Sequence, residues 1–151
     1  MESRARRLTL FSKTAGRAQL YDLRMTNSDT AVLRPRLVVD GAARAIEYYT
    51  AVFGAEEIAR FEDPTGKIVH AELAIGSGRL TLKDADGVDP APTTLGGSPV
   101  LLMLGVDDVD ALGARMVAAG GTVVFAIGDQ EDGRGGRILD PFGHAWMISQ
   151  R

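Results

Sequence analysis

Fourteen positions separate Asp40 from Gly54, and fourteen separate Asp107 from Gly121. From Gly54 to Gly78 is 24 positions and from Gly121 to Gly143 is 22. Each interval carries the same order of signals. Residues 33–40 read as a strand ending at an aspartate able to cap a helix. Over 42–54, Ala42, Ala45, Ile46, Tyr49, Val52 and Phe53 recur at helical spacing, and Gly54 is a C-terminal stop. Strand signals follow at 56–62, 68–75 and 80–83, parted by the turn sequences at 63–66 and 76–78. The order then repeats. A strand over 100–106 precedes Asp107, read as a cap with Asp110 in the first turn, and a helix carrying Val109, Leu112, Met116 and Val117. Three more strands are expected at 122–127, 136–139 and 144–149. The repeat predicts an α+β fold of two β-α-β-β-β modules, 33–84 and 100–151. The segment between them, 85–99, is rich in proline and glycine and reads as a linker or lid loop. An arm or upstream extension precedes them over 1–32.

The repeat explains the composition. Eighteen glycines in 151 residues with only 6 prolines mark repeated turns rather than disorder. Residues 1–30 hold six basic and three acidic side chains, so the remaining chain has 11 basic against 17 acidic. That balance gives no electrostatic footprint for nucleic acid. No stretch approaches the length of a membrane span. The absence of cysteine removes disulfides, thiolate metal sites and cysteine nucleophiles, and it fits a cytoplasmic protein. Gly-x-Ser-x-Gly is absent, and the glycine-rich stretches lack the context of a phosphate loop.

Four segments carry a specific resemblance: RLVVDGAARAIEYYTAVFG over 36–54, GKIVHAELAIG over 66–76, VDDVD over 106–110 and DPFGHAW over 140–146. Together they resemble the glyoxalase/bleomycin-resistance/extradiol-dioxygenase superfamily, the vicinal oxygen chelate proteins, and within it the PhnB-like branch. The resemblance covers roughly residues 33–150. It implies two modules forming a curved mixed sheet with a cup-shaped cavity, usually completed in a homodimer. Metal-using members resemble one another in placing His, Gln or Glu on the first and fourth strands of each module. The matching positions here are Leu33, Leu82, Pro99 or Val100, and Met147, all apolar. PhnB-like relatives also carry a Trp-Gly-Asp-Arg-Tyr-Gly pattern before the last strand, where this chain has EDGRGG over 131–136.

The expected function is therefore metal-independent binding of a small molecule, an aromatic or peptide natural product such as an antibiotic, with no cofactor. The candidate ligand-binding residues are Trp146, Arg36, Tyr49, Met147, Leu82, Met103 and Arg134. Trp146 is the stacking candidate, against a reading as core anchor, and alternation puts it opposite in sense to Met147. Of the adjacent Tyr48 and Tyr49, one is expected to pack inward and the other to reach a rim. Arg36 and Arg134 could supply charge, Arg134 equally a solvated loop cation. The alternative is a metal-dependent lyase, isomerase or dioxygenase using His70 and Glu72, which share one strand face. A third is a dimeric scaffold without ligand. His144 reads as a turn or capping side chain.

Overall fold

The computed structural model describes residues 8–14, 17–23 and 31–151. The chain divides into two units, Met1–Leu33 and Arg34–Arg151. Half of the basic arm expected over 1–32 lies outside the described residues. What is described of it is an antiparallel hairpin, β1 (Leu8–Thr14) paired with β2 (Arg17–Leu23).

The second unit contains the two modules. The first runs β3 (Arg36–Val39), α1 (Ala42–Phe53), β4 (Glu56–Glu62), β5 (Ile68–Ile75) and β6 (Gly78–Asp84). A four-residue helix α2 (Pro92–Leu95) lies in the connection. The second module runs β7 (Leu101–Val106), α3 (Val109–Ala118), β8 (Thr122–Gln130), β9 (Gly133–Leu139) and β10 (Ala145–Gln150). The sheet orders are β3-β6-β5-β4 and β7-β10-β9-β8, so the modules share one topology. In each, the first strand pairs parallel to the last and the other pairs are antiparallel. Two α+β modules with mixed sheets form, as the repeat and the resemblance lead one to expect. The two four-stranded sheets are separate.

Local chemistry sets the helix ends, in part differently from the expectation. Gly41, at φ 98°, is the N-cap of α1, so Asp40 does not cap it. The first amide of α1, on Ala42, instead donates to Asp84 Oδ1 at 2.7 Å, and Ile68 N donates to Oδ2 at 2.8 Å. One β6 carboxylate thus ties the helix start to β5. Gly54, at φ 68°, closes α1 as expected. In the second module the capping side chain is Asp108, which accepts from Ala111 N, and not Asp107.

The modules pack against each other through their helix-bearing faces and share one core. Phe53 of α1 lies 4.5 Å from Trp146 of β10 between ring centroids, and Tyr49 lies 5.8 Å from it. His144 Nε2 donates to Val38 O at 2.9 Å, and Arg115 Nε donates to Val52 O at 3.2 Å. With both inner faces spent on this core, each sheet keeps its other face open.

Candidate functional site

Strand alternation decides which side chains reach the open faces. In the second module, Met103, Met147, Arg137 and Phe125 lie side by side across β7, β10, β9 and β8. Met103 is 77% exposed and Phe125 58%. The Arg137 guanidinium sits 5.1 Å from the Phe125 ring centroid and places Nη2 3.9 Å from Met147 Sδ. The next row along the same strands is Gly105, Ser149, Gly135 and Gly128. No side chain in that row exceeds a hydroxymethyl group. The contrast of a tall row with a bare row carves a bay of about 750 Å³, lined by Met103, Phe125, Arg137, Met147, Gly135 and Ser149 among others.

The glycines of β9 are required by close backbone approach. A Cβ on Gly135 would stand 2.5 Å from Ile148 O, and one on Gly136 would stand 2.8 Å from Phe125 O. A larger residue at either would push the neighbouring strands apart, and at Gly135, on the open face, it would also fill the bay floor.

The first module's equivalent row is polar. Arg36, Thr81, Glu72 and Ala59 run across β3, β6, β5 and β4. Arg36 donates from Nη1 to His70 Nδ1 and from Nη2 to Val69 O, both at 2.7 Å. Glu72 lies between Arg34 and Arg79, at 3.6 and 3.8 Å. Lys83 donates to Asp86 and Asp89 at 2.6 Å each, holding the start of the connecting segment.

These positions correct several expectations. Trp146 is 3% exposed and faces the core, where its Nε1 donates to Asp140 Oδ2 at 2.9 Å. Tyr49 is also in the core and donates to the same oxygen at 2.5 Å. Neither side chain opens to a bay. Asp140 Oδ1 accepts from Phe142 N and His144 N, so the DPFGH turn is wound around a buried carboxylate satisfied by four donors. Burial and the nearby Asp140 charge hold both tyrosine hydroxyls well above their ordinary range. Tyr48 is buried too, so neither of the adjacent tyrosines reaches a rim, and its hydroxyl makes no hydrogen bond within the described residues.

Leu82 is fully buried on the core face of β6. The register pairs Arg36 with Thr81 and Met103 with Met147, so Thr81 is the true counterpart of Met147. Counting four residues on from Gly78, as Met147 follows Gly143, lands on Leu82, one residue past Thr81. Arg134 turns toward the helix side, where it pairs with Asp110 at 2.8 Å and Asp129 at 3.0 Å. Those carboxylates hold its guanidinium firmly protonated. Of the candidate set, Met103, Met147 and the ion-paired Arg134 line the bay, with Arg36 on the other module's open face. Arg137 went unnoticed. Its signal was available: two residues from Arg137 lies Gly135, and Ile138 beside it has the apolar character of a core position, which sends Arg137 outward.

The divalent ion used by some relatives can be tested against the donors present. On β3, β6, β7 and β10 the open-face positions hold Arg36 and Val38, Thr81 and Lys83, Leu101 and Met103, Ala145 and Met147. None is a His, Glu, Gln or Asp, and two are cations. Among the described residues, no three His, Cys, Asp or Glu side chains gather around a common point. His70 and Glu72 are both engaged by arginines. This donor set does not fit a divalent metal.

Residues 31–148 match the family model described as the Glyoxalase/Bleomycin resistance protein/Dioxygenase superfamily. The chain belongs to this superfamily. It is 43% identical over 151 residues to Uncharacterized protein Rv0887c of Mycobacterium tuberculosis, covering 95% of this chain and 88% of that one. Among solved structures it resembles protein PA1353 from Pseudomonas aeruginosa, with a TM-score of 0.66 at 27% identity, covering 81% of this chain and 98% of that one. The fold is shared with the fosfomycin resistance protein FosX from Listeria monocytogenes, solved with Mn(II) and sulfate ion. There the TM-score is 0.61 at 15% identity, over 80% of this chain and 90% of that one. No described helix is long and apolar enough to cross a membrane.

Proposed function

We propose that this superfamily member is a metal-independent small-molecule binding protein whose site is the open face of the second module. The observation that carries this reading is the row Met103, Met147, Arg137 and Phe125 beside a bare glycine and serine row. It combines polarizable and aromatic surface with a few charged handles, the usual make-up of a ligand pocket. The positions where superfamily relatives hold metal are Arg36, Thr81, Met103 and Met147 here, with no imidazole or carboxylate among them, which favours binding without metal chemistry. A planar natural product, an antibiotic among them, suits the length and chemistry of the bay.

The same reading makes the protein a cytoplasmic homodimer. β8 exposes Val123, Val124 and Phe125 in succession, hence on both of its faces, and the first module exposes Ile58, Phe61 and Val69. Consecutive exposed apolar residues on a sheet edge favour a partner. A second copy laid over these faces would wall the bay.

The test is a thermal-shift screen of purified protein against aromatic and peptide antibiotics, with elemental analysis alongside. A ligand at 100 times its Kd adds about 2.7 kcal/mol, on the order of 10 °C for a domain of this size. Stabilisation without bound metal supports the reading. A stoichiometric transition metal lost on His70→Ala overturns it in favour of the metal-dependent alternative. Sedimentation equilibrium giving a monomer overturns the dimer.

A further inference from the structure

We propose that the bay is selective for small planar organic acids, with Arg137 as the receptor for their carboxylate. This deepens the reading of the second module's open face as a ligand site and rests on it. The argument begins with charge. Among the described residues no carboxylate lies within ion-pairing distance of Arg137, whereas Arg134, three residues before it, has two. The Arg137 Nε is buried and makes no hydrogen bond within the described residues. The remaining contacts are a thioether and the face of Phe125. A guanidinium in that setting is desolvated in part and uncompensated, so an incoming anion gains more there than at a solvated arginine.

Shape narrows the class. The bare row Gly105, Ser149, Gly135 and Gly128 crosses four strands, which sets a trough roughly 14 Å long at the usual strand spacing. A flat ring system can lie in it against Phe125, Met103 and Met147 while its carboxylate meets the Arg137 fork. Asp132 and Arg134 also stand on the lining of the bay, but Asp132 makes no ion pair with Arg137 and Arg134 is already paired with Asp110 and Asp129. The first module adds no competing anion from its open face, because Glu72 is already flanked by Arg34 and Arg79.

The experiment uses the full chain and two isosteric probes, 2-naphthoate and 2-naphthamide, titrated by 1H–15N correlation NMR. The expected result is saturable shifts at the amides of Gly135, Arg137, Met147 and Ser149, with 2-naphthoate bound at least tenfold more tightly than 2-naphthamide. Arg137→Gln should erase that ratio, and Arg137→Lys should keep part of it. Equal affinities for the two probes in the unaltered protein overturn the anion receptor and leave the bay intact. Failure of both probes to shift these amides overturns the bay itself, including the case in which a second copy fills it. The wild-type ratio keeps the test decisive even if Arg137→Gln folds poorly.

Discussion

The two modules share topology, strand register and a core, yet their open faces are chemically opposite. Sixty-seven positions separate Arg36 from Met103, as they separate Asp40 from Asp107. At matched places the first module holds Arg36, Thr81 and Glu72 where the second holds Met103, Met147 and Arg137. The first face has closed its charges into pairs. The second leaves one cation open on apolar ground. A duplicated fold thus fixes where side chains point and leaves their chemistry free to diverge, so function has to be argued from each face separately.

The inner faces diverge as well, and there the largest effect is expected. Asp84 and Asp140 are the carboxylates that lock their modules. Asp84 receives two backbone amides. Asp140 receives two backbone amides, the Tyr49 hydroxyl and the Trp146 indole. Asp140→Ala strands four donors and should cost about 4 kcal/mol, against about 2 kcal/mol for Asp84→Ala. Urea unfolding of both variants measures the difference. An equal or larger loss for Asp84→Ala would show that the tie between the modules through Tyr49 and Trp146 contributes nothing.

A second contrast lies within the second module, between its two faces. Phe142 is buried against Tyr48, Tyr49 and Arg44, whereas Phe125 stands on the open face. Phe142→Ala should cost about 3 kcal/mol, and Phe125→Ala under about 1 kcal/mol. Phe125→Ala should nevertheless weaken 2-naphthoate several-fold, which calorimetry would detect. A ligand affinity unchanged by Phe125→Ala would move the site away from the bay.

Much of this was legible in the sequence for a physical reason. Elements held by local pattern, such as α1 with its apolar stripe and left-handed Gly54, or β4 and β5 between clear turns, appear where periodicity puts them. Features decided by distant partners do not. Asp40 has the chemistry of a cap, but Asp84, 42 residues away from Ala42, satisfies that amide. Trp146 has the chemistry of a stacking platform, but Asp140 and Phe53 draw it inward. Arg134 and Arg137 look alike in sequence, and only the pairing of Asp129 with Arg134 and of Met147 with Arg137 separates a surface ion pair from a bay cation. The candidate site was misread wherever a register shift of one residue changes the face, as between Thr81 and Leu82.

The smallest expected effect concerns surface charge and tests whether the modules are tied to their loops alike. In the first module, the hydrogen bond from the Lys83 ammonium, with those from the Asp89 and Val88 amides, holds the Asp86 carboxyl well below the usual carboxylate range. In the second, the bidentate bond from Arg134 holds Asp110 low. A carboxylate whose pKa is depressed on folding stabilises the protein above its unfolded value near 3.9, and that contribution is lost as pH falls through the folded pKa. Melting temperature should therefore fall more steeply below about pH 4 in the unaltered protein than in Asp86→Asn or Asp110→Asn. Lys83, raised by the hydrogen bonds it donates to Asp86 and Asp89, acts at the other end. Its contribution is complete below the ordinary lysine range and is lost as pH rises through its raised value. Both pairs are exposed enough for salt to weaken them. If 1 M salt flattens the acid limb of Asp110→Asn and of the unaltered protein alike but leaves a residual slope that Asp86→Asn removes, the connecting segment is held by a partly desolvated lysine. That would make the first module's charges structural and leave Arg137, which pairs with no carboxylate among the described residues, for a ligand.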